Sequence, residues 1–461
     1  MRSIVFAALL LAGCAEGERA EAPAPLAADP APVEDVNRSA ELAEPVEFPE
    51  VGSGLLPLYR YLHANPELSN GEVETAKIMA DRLRAYGFEV TEGVGGLGVV
   101  GVLENGAGRT VMLRADMDGL PIAETTGLNY ASTVTREGPD GERLPAMHAC
   151  GHDVHMAGTL GAAQDLADQR DSWSGTLVVI FQPAEEIVEG ALQMLDDGLF
   201  TRFPKPDYNL AYHVNAGMAA GTLGMVPGYA LANVDSVDIV VRGVGGHGAY
   251  PHTTIDPVVL SASIIMNLQT LVSRNTDPRE AAVVTVGTIA GGTKRNIIGE
   301  EVRLGLTVRS YTDEVRAQTL DGIERVAANT ARALGMSEDA LPVVTRLPES
   351  APATYNNPDM TRALTQAFLT EFGPDAVSQV APVMAAEDFS HYGRTDHPSI
   401  GDTAIPSQIF WLGAASPALV ESGAPLPSLH SPDFAPDAER AVPMGARALT
   451  VGALSLFNAQ D

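Results

Sequence analysis

Short apolar runs alternate with helical patterns along most of the chain, and this alternation constrains the fold more than any other feature. Residues 97–103, 110–114, 176–181, 208–212 and 408–412 read as buried strands, because a strand covered on both faces shows a near-continuous apolar run. Between the runs, residues 72–86 place Val73, Ile78, Met79 and Leu83 near one helical face, and Gly87 follows as a stop signal. Helices between such strands predict an α/β protein with a doubly wound mixed sheet. The residues just after the strands carry the first functional signal. Residues 110–114 run into Asp116 and Asp118, residues 176–181 into Glu185 and Glu186, and residues 208–212 into His213. Ligands in open α/β sheets sit beyond the carboxyl ends of the strands, so three strand ends deliver metal-type side chains to one edge.

Between about Val234 and Arg346 the pattern changes. Strands are expected at 236–242, 281–289, 302–310 and 341–346, with helices at 257–273 and 313–334. The order β-α-β-β-α-β predicts a ferredoxin-like α+β domain inserted into the first. The expected division is therefore a main body at 53–233 and 347–461, with the insertion at 234–346. A packed helix at 437–457 closes the body.

The N-terminus reads as a targeting segment. Arg2 supplies the positive charge, Ser3 to Leu11 the apolar stretch, and Leu11-Ala-Gly-Cys14 the small residues before a cysteine. This resembles a bacterial lipoprotein signal at 1–13, which implies lipid on Cys14, membrane attachment through it, and an exported, periplasmic or cell-envelope location. Residues 14–52 are rich in Ala, Pro and Glu without apolar periodicity and read as a tether. The chain has two cysteines, Cys14 and Cys150, so lipid on the first leaves the second without an intramolecular partner. The 59 acidic residues outnumber the 29 basic ones, for a formal net charge of −30. That balance repels nucleic acid and argues against such a partner.

Cys150-Gly-His152-Asp-Val-His155 offers a thiol and two imidazoles within a few residues, a mixture that a borderline-soft divalent ion accepts. A helix is expected to begin here, and its N-terminus lowers a thiol's pKa. The structural alternative is a buried free cysteine beside an N-capping Asp153; His155 and His148 are weaker candidates that suit supporting roles. Glu185 and Glu186 stand side by side after a strand. Adjacent side chains usually diverge, so one can bind metal while the other serves as general base. His213 and His430 are isolated in sequence, and either alone reads as structural. With the cluster they complete a set of five ligands, enough for two ions.

Several motifs together resemble the aminoacylase and carboxypeptidase-G type dinuclear metallohydrolases, in the branch of hippurate hydrolase and the indole-acetyl amino acid amidohydrolases. They are Arg114-Ala-Asp-Met-Asp-Gly-Leu-Pro-Ile122, Met147-His-Ala-Cys-Gly-His-Asp-Val-His155, Gln182-Pro-Ala-Glu-Glu186, Gly245-Gly-His-Gly-Ala-Tyr-Pro-His252, Ala386-Glu-Asp-Phe-Ser390 and Leu429-His-Ser-Pro432. His63-Ala-Asn-Pro-Glu-Leu-Ser69 is a further family phrase, and the likeness spans roughly residues 53 to 461. The resemblance implies a catalytic body with an inserted lid or dimerisation domain. It also implies two divalent ions, Zn²⁺ or Mn²⁺ with Co²⁺ or Ni²⁺ as alternatives, held by Cys150, His152, Glu186, His213 and His430. Glu185 would be the general base and Asp118 a carboxylate that orients a ligand. His247 would stabilise the oxyanion, often from the partner subunit of a homodimer, and Asn296 would bind the substrate's α-carboxylate.

The implied activity is cleavage of the amide bond of an N-acyl amino acid. A dipeptidase or aminopeptidase using the same centre is the near alternative, and a surface-anchored binding lipoprotein the alternative from another class. Three departures from the family pattern stand out: Gly119 in place of alanine, a lengthened loop at 136–144, and Ile297-Ile298-Gly299 after Asn296 where Ile-Pro is usual. The loop bears on substrate choice or is a plain surface excursion.

Overall fold

The computed structural model describes residues 54–459. The signal, Cys14 and the tether lie outside the described residues.

An eight-stranded sheet forms the centre of the body, in the spatial order Glu89–Val94, Gly98–Asn105, Gly175–Gln182, Arg109–Asp116, Tyr208–Ala219, Ser407–Ala415, Leu223–Met225, Val377–Gln379. Its central strands, Gly175–Gln182, Arg109–Asp116, Tyr208–Ala219 and Ser407–Ala415, are mutually parallel. Parallel strands are stable when both faces are covered, and alternate residues here feed two cores. Leu113, Leu177 and Val179 face the layer containing helices Leu55–Ala64, Val73–Ala85, His152–Asp168 and Ala438–Phe457. Met112, Val178 and Ile180 face the opposite layer with Met194, Phe389 and Tyr392. The mixed, doubly wound sheet is thus present, and all five expected runs fall in strands, the first starting at Gly98 with Leu97 left in the preceding turn. The 208–212 run extends to Ala219 because it keeps pairing with Ser407–Ala415 past the apolar stretch.

Tyr212 fixes the depth of the strand that carries His213. Its hydroxyl donates to Val154 O at 2.7 Å. Helices His152–Asp168 and Ala438–Phe457 close on its ring through Gly158 and Gly445, where an added Cβ would fall 2.1 Å from the hydroxyl and 2.8 Å from the ring. The expected C-terminal helix is present and packed, with Ala441, Val442, Leu449 and Ala453 fully enclosed.

The inserted segment builds a four-stranded antiparallel sheet in the order Ala282–Gly291, Glu301–Ser310, Val234–Arg242, Val343–Ala351. By chain position this is 2-3-1-4, the ferredoxin-like arrangement. Val237, Ile239, Leu304 and Leu306 alternate inward against Leu260, Ile264 and Ile323 of helices Pro257–Thr270 and Asp313–Ala333. The first of these helices ends in a π-type turn, Leu271–Asn275, rather than running as α-helix to 273. The 136–144 loop is a hairpin, Thr135–Glu137 with Arg143–Pro145, tied down where Arg136 Nε donates to Pro66 O at 2.8 Å. Among the described residues no helix is long and apolar enough to cross a membrane.

Candidate metal centre

The parallel strands end where the donors collect. Asp116 pairs in register with Gln182, three residues before Glu185, and His213 with Trp411. Gly151, at φ 80°, turns the chain between Cys150 and the helix that starts at His152. Only glycine adopts that left-handed conformation without strain. Cys150 Sγ lies 3.5 Å from His213 Nε2 and 3.3 Å from His430 Nε2. His430 Nε2 also stands 3.5 Å from Glu186 Oε2.

Glu185 and Glu186 converge rather than diverge on one side, since a carboxylate oxygen of each approaches His152 Nε2 to 3.9 Å. The reason is the turn: Ala184 and Val188 hold φ of 52° and 60°, so the pair does not continue as strand. Beyond His152 the two part, Glu186 toward His430 and Glu185 toward Glu387 and Asp388.

Two donor triplets, Cys150 with His152 and His213, and Cys150 with Glu186 and His430, meet at Cys150. The donor atoms of each triplet lie within 4.8 Å of one another. Both ring nitrogens of His152, Glu186 Oε1 and Glu387 Oε2 are buried without a hydrogen-bond partner. Buried polar atoms are normally satisfied, so orphans aimed into a soft and hard donor set fit divalent cations. His213 is oriented for the purpose: its Nδ1–H donates to Val214 O at 2.8 Å, leaving Nε2 toward Cys150.

The electrostatics correct one expectation. Cys150 does not gain a low thiol pKa from the helix N-terminus; burial, Glu186 and Glu185 push it well above its usual value. Cys150 is 6% exposed among carboxylates, and the desolvation cost of a thiolate there outweighs the helix end. Burial, then Glu387 and Glu186, likewise raise Glu185. Burial favours neutral His152, but Asp116 and Asp118 outweigh it and hold the ring at about 10. A cavity that strongly favours an imidazolium also favours a metal cation.

Asp118 is where the ligand-orienting role was expected. Its Oδ1 lies 3.4 Å from His152 Nδ1, and its two oxygens accept from the Glu185 and Glu186 backbone N–H groups at 3.1 and 3.0 Å. His155 is neutral and committed elsewhere: Nδ1–H donates to Asp116 Oδ1 at 2.6 Å and Nε2 accepts from Val214 N at 3.0 Å. His148 is fully enclosed, and burial pushes it down to about 4.

His247 and Asn296 are not brought to this cluster within the chain. Both are exposed on the small pair Gly246–His247 with Ile297–Ile298, where Asn296 O accepts from Gly248 N. Sequence reasoning missed Arg114, which lies enclosed and donates to Gln182, Asp116, Glu387 and Asp388 at 2.6 to 3.0 Å. An arginine inside an apolar run was the available signal. It also missed Arg309, which projects from the inserted sheet into the wall of the cavity.

That cavity, about 460 Å³, is lined by Cys150, Glu185, Glu186, His213 and His430, with Arg309 and the apolar Leu231, Val234, Trp411 and Leu429 around them. Arg309 is half-buried, with Nη1 donating to Met384 O at 3.1 Å. A larger cavity of about 610 Å³ near Tyr229 and Arg394 contains none of the donor triplets.

Comparison with known proteins gives matches across most of the chain. The model of "Peptidase family M20/M25/M40" matches residues 112–439. Thermostable carboxypeptidase 2 of Saccharolobus solfataricus is 34% identical over 413 residues, covering 89% of this chain and 97% of its own length. Hippurate hydrolase of Campylobacter jejuni is 36% identical over 333 residues, 72% of this chain and 82% of its own. Among solved structures, the YXEP protein of Bacillus subtilis, described as a dinuclear metal binding peptidase from the M20 family, superposes with a TM-score of 0.69 at 29% identity. That match covers 87% of this chain and 97% of the other.

Proposed function

The chain belongs to peptidase family M20/M25/M40, and from that premise we propose that it is a metal-dependent amidohydrolase cleaving the amide bond of N-acyl amino acids. The observation that carries the reading is the meeting of two donor triplets at Cys150, beside Glu185, on the floor of a cavity whose wall contains Arg309. Cys150, His152, Glu186, His213 and His430 would hold two divalent ions, with Zn²⁺ or Mn²⁺ the first candidates and Co²⁺ or Ni²⁺ next. Bound there, such ions supply Lewis acidity toward the scissile carbonyl and lower the pKa of water.

The remaining chemistry falls to the chain's own side chains. Glu185 takes a proton from the attacking water and returns it to the leaving nitrogen. Its enclosed position and the neighbouring Glu387 raise its proton affinity, which suits a group that must hold the proton between those steps. The products are a carboxylic acid and a free amino acid. In an N-acyl amino acid the carboxylate is one carbon from the scissile nitrogen, so a guanidinium in the same cavity can hold it; burial lowers the Arg309 pKa, yet a guanidinium stays charged. The apolar walls suit an apolar acyl group better than the ammonium of a dipeptide.

We further propose that His247 reaches the cavity of a partner subunit to stabilise the oxyanion, with Asn296 beside it on the substrate carboxylate. Residues 234–346 would then serve as lid and dimerisation domain. Export and lipid attachment at Cys14 are proposed from residues 1–14 alone. The decisive test assays residues 50–461, loaded with each divalent metal, on a panel of N-acyl amino acids and dipeptides. Metal-dependent release of amino acid from the acyl substrates is expected. A preference for dipeptides would favour a dipeptidase, and binding without turnover a surface-anchored binding protein.

A further inference from the structure

Three consecutive backbone N–H groups in the turn after Gly175–Gln182 are held by two carboxyl groups. Asp118 takes those of Glu185 and Glu186. The third, from Ala184, goes to Glu72 Oε1 at 2.8 Å. Glu72 comes from the connection between the first two helices, and nothing in the metal chemistry requires it.

The turn needs holding. Ala184 and Val188 both lie in the left-handed region, which strains a non-glycine residue and persists where the surroundings over-determine it. The turn also closes tightly, with Glu189 N and Gly190 N both donating to Ala184 O at 3.2 and 3.1 Å. Its geometry lets two adjacent glutamates reach the same histidine, and an extended chain would send them to opposite sides.

Glu72 is placed for this and little else. It precedes helix Val73–Ala85, yet its side chain makes no capping hydrogen bond. That task falls to Glu67, whose carboxylate accepts from Thr75 N at 2.9 Å and Glu74 N at 3.3 Å. Glu72 is 0% exposed, and its Oε2 has no partner. An enclosed carboxyl with an unpartnered oxygen is costly to bury.

We propose that Glu72 is a positioning residue for amide hydrolysis: its enclosed carboxyl holds the Ala184 N–H and so fixes the left-handed turn that aims Glu185 and Glu186 into the site. The inference rests on the proposed role of Glu185. Burial, with Asp118 adding to it, raises Glu72 to about 8.

The test compares Glu72→Ala, Glu72→Asp and Glu72→Gln in the full, metal-loaded chain. It reads kcat, KM, metal content, and hydrogen exchange of the peptide spanning residues 183–190. Withdrawing the acceptor (Ala) or pulling it back by one methylene (Asp) should lower kcat about 10²-fold, the scale of a 1 Å misplacement. KM should hold, exchange should quicken at 183–190 and not elsewhere, and any fall in metal occupancy, expected because Glu186 shares the turn, should be reversed by excess metal without restoring kcat. Glu72→Gln keeps an oxygen for the N–H and should stay within about threefold of the parent by the same argument. Should Glu72→Ala fail to fold, Glu72→Asp carries the comparison.

Parent-like kcat in Glu72→Asp, equal losses in Glu72→Asp and Glu72→Gln, or a kcat loss fully restored by excess metal would each overturn the inference. Glu185→Gln run alongside separates the two ideas. If it is inactive while the Glu72 variants turn over normally, only the Glu72 inference fails; if it turns over like the parent, the base assignment fails and takes the inference with it.

Discussion

Around Cys150 the proposed donors are enclosed, with His430 alone well exposed, whereas His247 and Asn296 of the inserted domain face solvent. In the first region each group is fixed by others. Asp118 holds the glutamate turn and His152, Asp116 holds His155, and Arg114 ties Asp116 to Glu387 and Asp388. In the second, His247 Nδ1 accepts one backbone hydrogen bond, from Ala249 N. The contrast teaches that one chain by itself can assemble a cation site, while the groups expected to meet the oxyanion and the substrate carboxylate wait for something to bring them there.

The sharpest break between the regions should come from Glu185→Gln. Removing a general base costs 10²- to 10⁴-fold, so kcat is expected to fall about 10³-fold with metal content unchanged by elemental analysis. Loss of metal instead would move Glu185 among the ligands. His247→Ala should lower kcat by about 10²-fold, the scale of a lost oxyanion donor, with no change in thermal midpoint because the ring is exposed. Mixing inactive Glu185→Gln and His247→Ala chains tests where His247 acts. Hybrid dimers regain one intact site if it works across subunits and none if it works within its own.

The third prediction concerns the ions that stiffen the enclosed region. His63 lies buried between Asp153, the neighbour of His152, and Glu124, at 2.7 and 3.1 Å. Burial alone would lower its pKa, but the two carboxylates outweigh this and raise it from 6.5 to about 9. A pKa raised by folding stabilises the fold fully below 6.5 and loses that effect as pH climbs through about 9. The amount is on the order of 3 kcal/mol at 1.36 kcal/mol per unit. Thermal midpoints measured from pH 6 to 10 should fall across that window and flatten in His63→Gln; an unchanged profile in the variant would sink the assignment. The smallest effect belongs to Arg309, the charged side chain that the inserted sheet lends to the cavity. Arg309→Ala should lower kcat/KM by about 10- to 100-fold, the worth of a charge-assisted hydrogen bond, and the loss should vanish for substrates whose carboxylate is amidated.

Much of this was legible in the chain. The strands, the ferredoxin-like insertion and the donor types follow from local period and residue identity, and Cys150, His152, Glu186, His213 and His430 do converge. Glu72, Glu387 and Arg309 were not legible as participants. Each is a common charged residue whose role exists only through a partner remote in sequence, Ala184, Arg114 and the cavity respectively. Even His63 appeared only as part of a familiar phrase, and the two carboxylates that charge it lie on other segments.

By itself the sequence determined which side chains stand at the ends of which strands, because alternation and turn chemistry act over a few residues. Tertiary structure decided what those side chains are. The spatial order of the sheet sets Ser407–Ala415 beside Tyr208–Ala219, and the His430 loop comes to Cys150 from the far end of the chain. The left-handed turn at Ala184 makes two neighbouring glutamates converge. Burial among carboxylates reverses the sign of the pKa shift expected at Cys150. Proton affinity depends on solvation and on charges gathered from all sides, and neither is a property of a local stretch of chain.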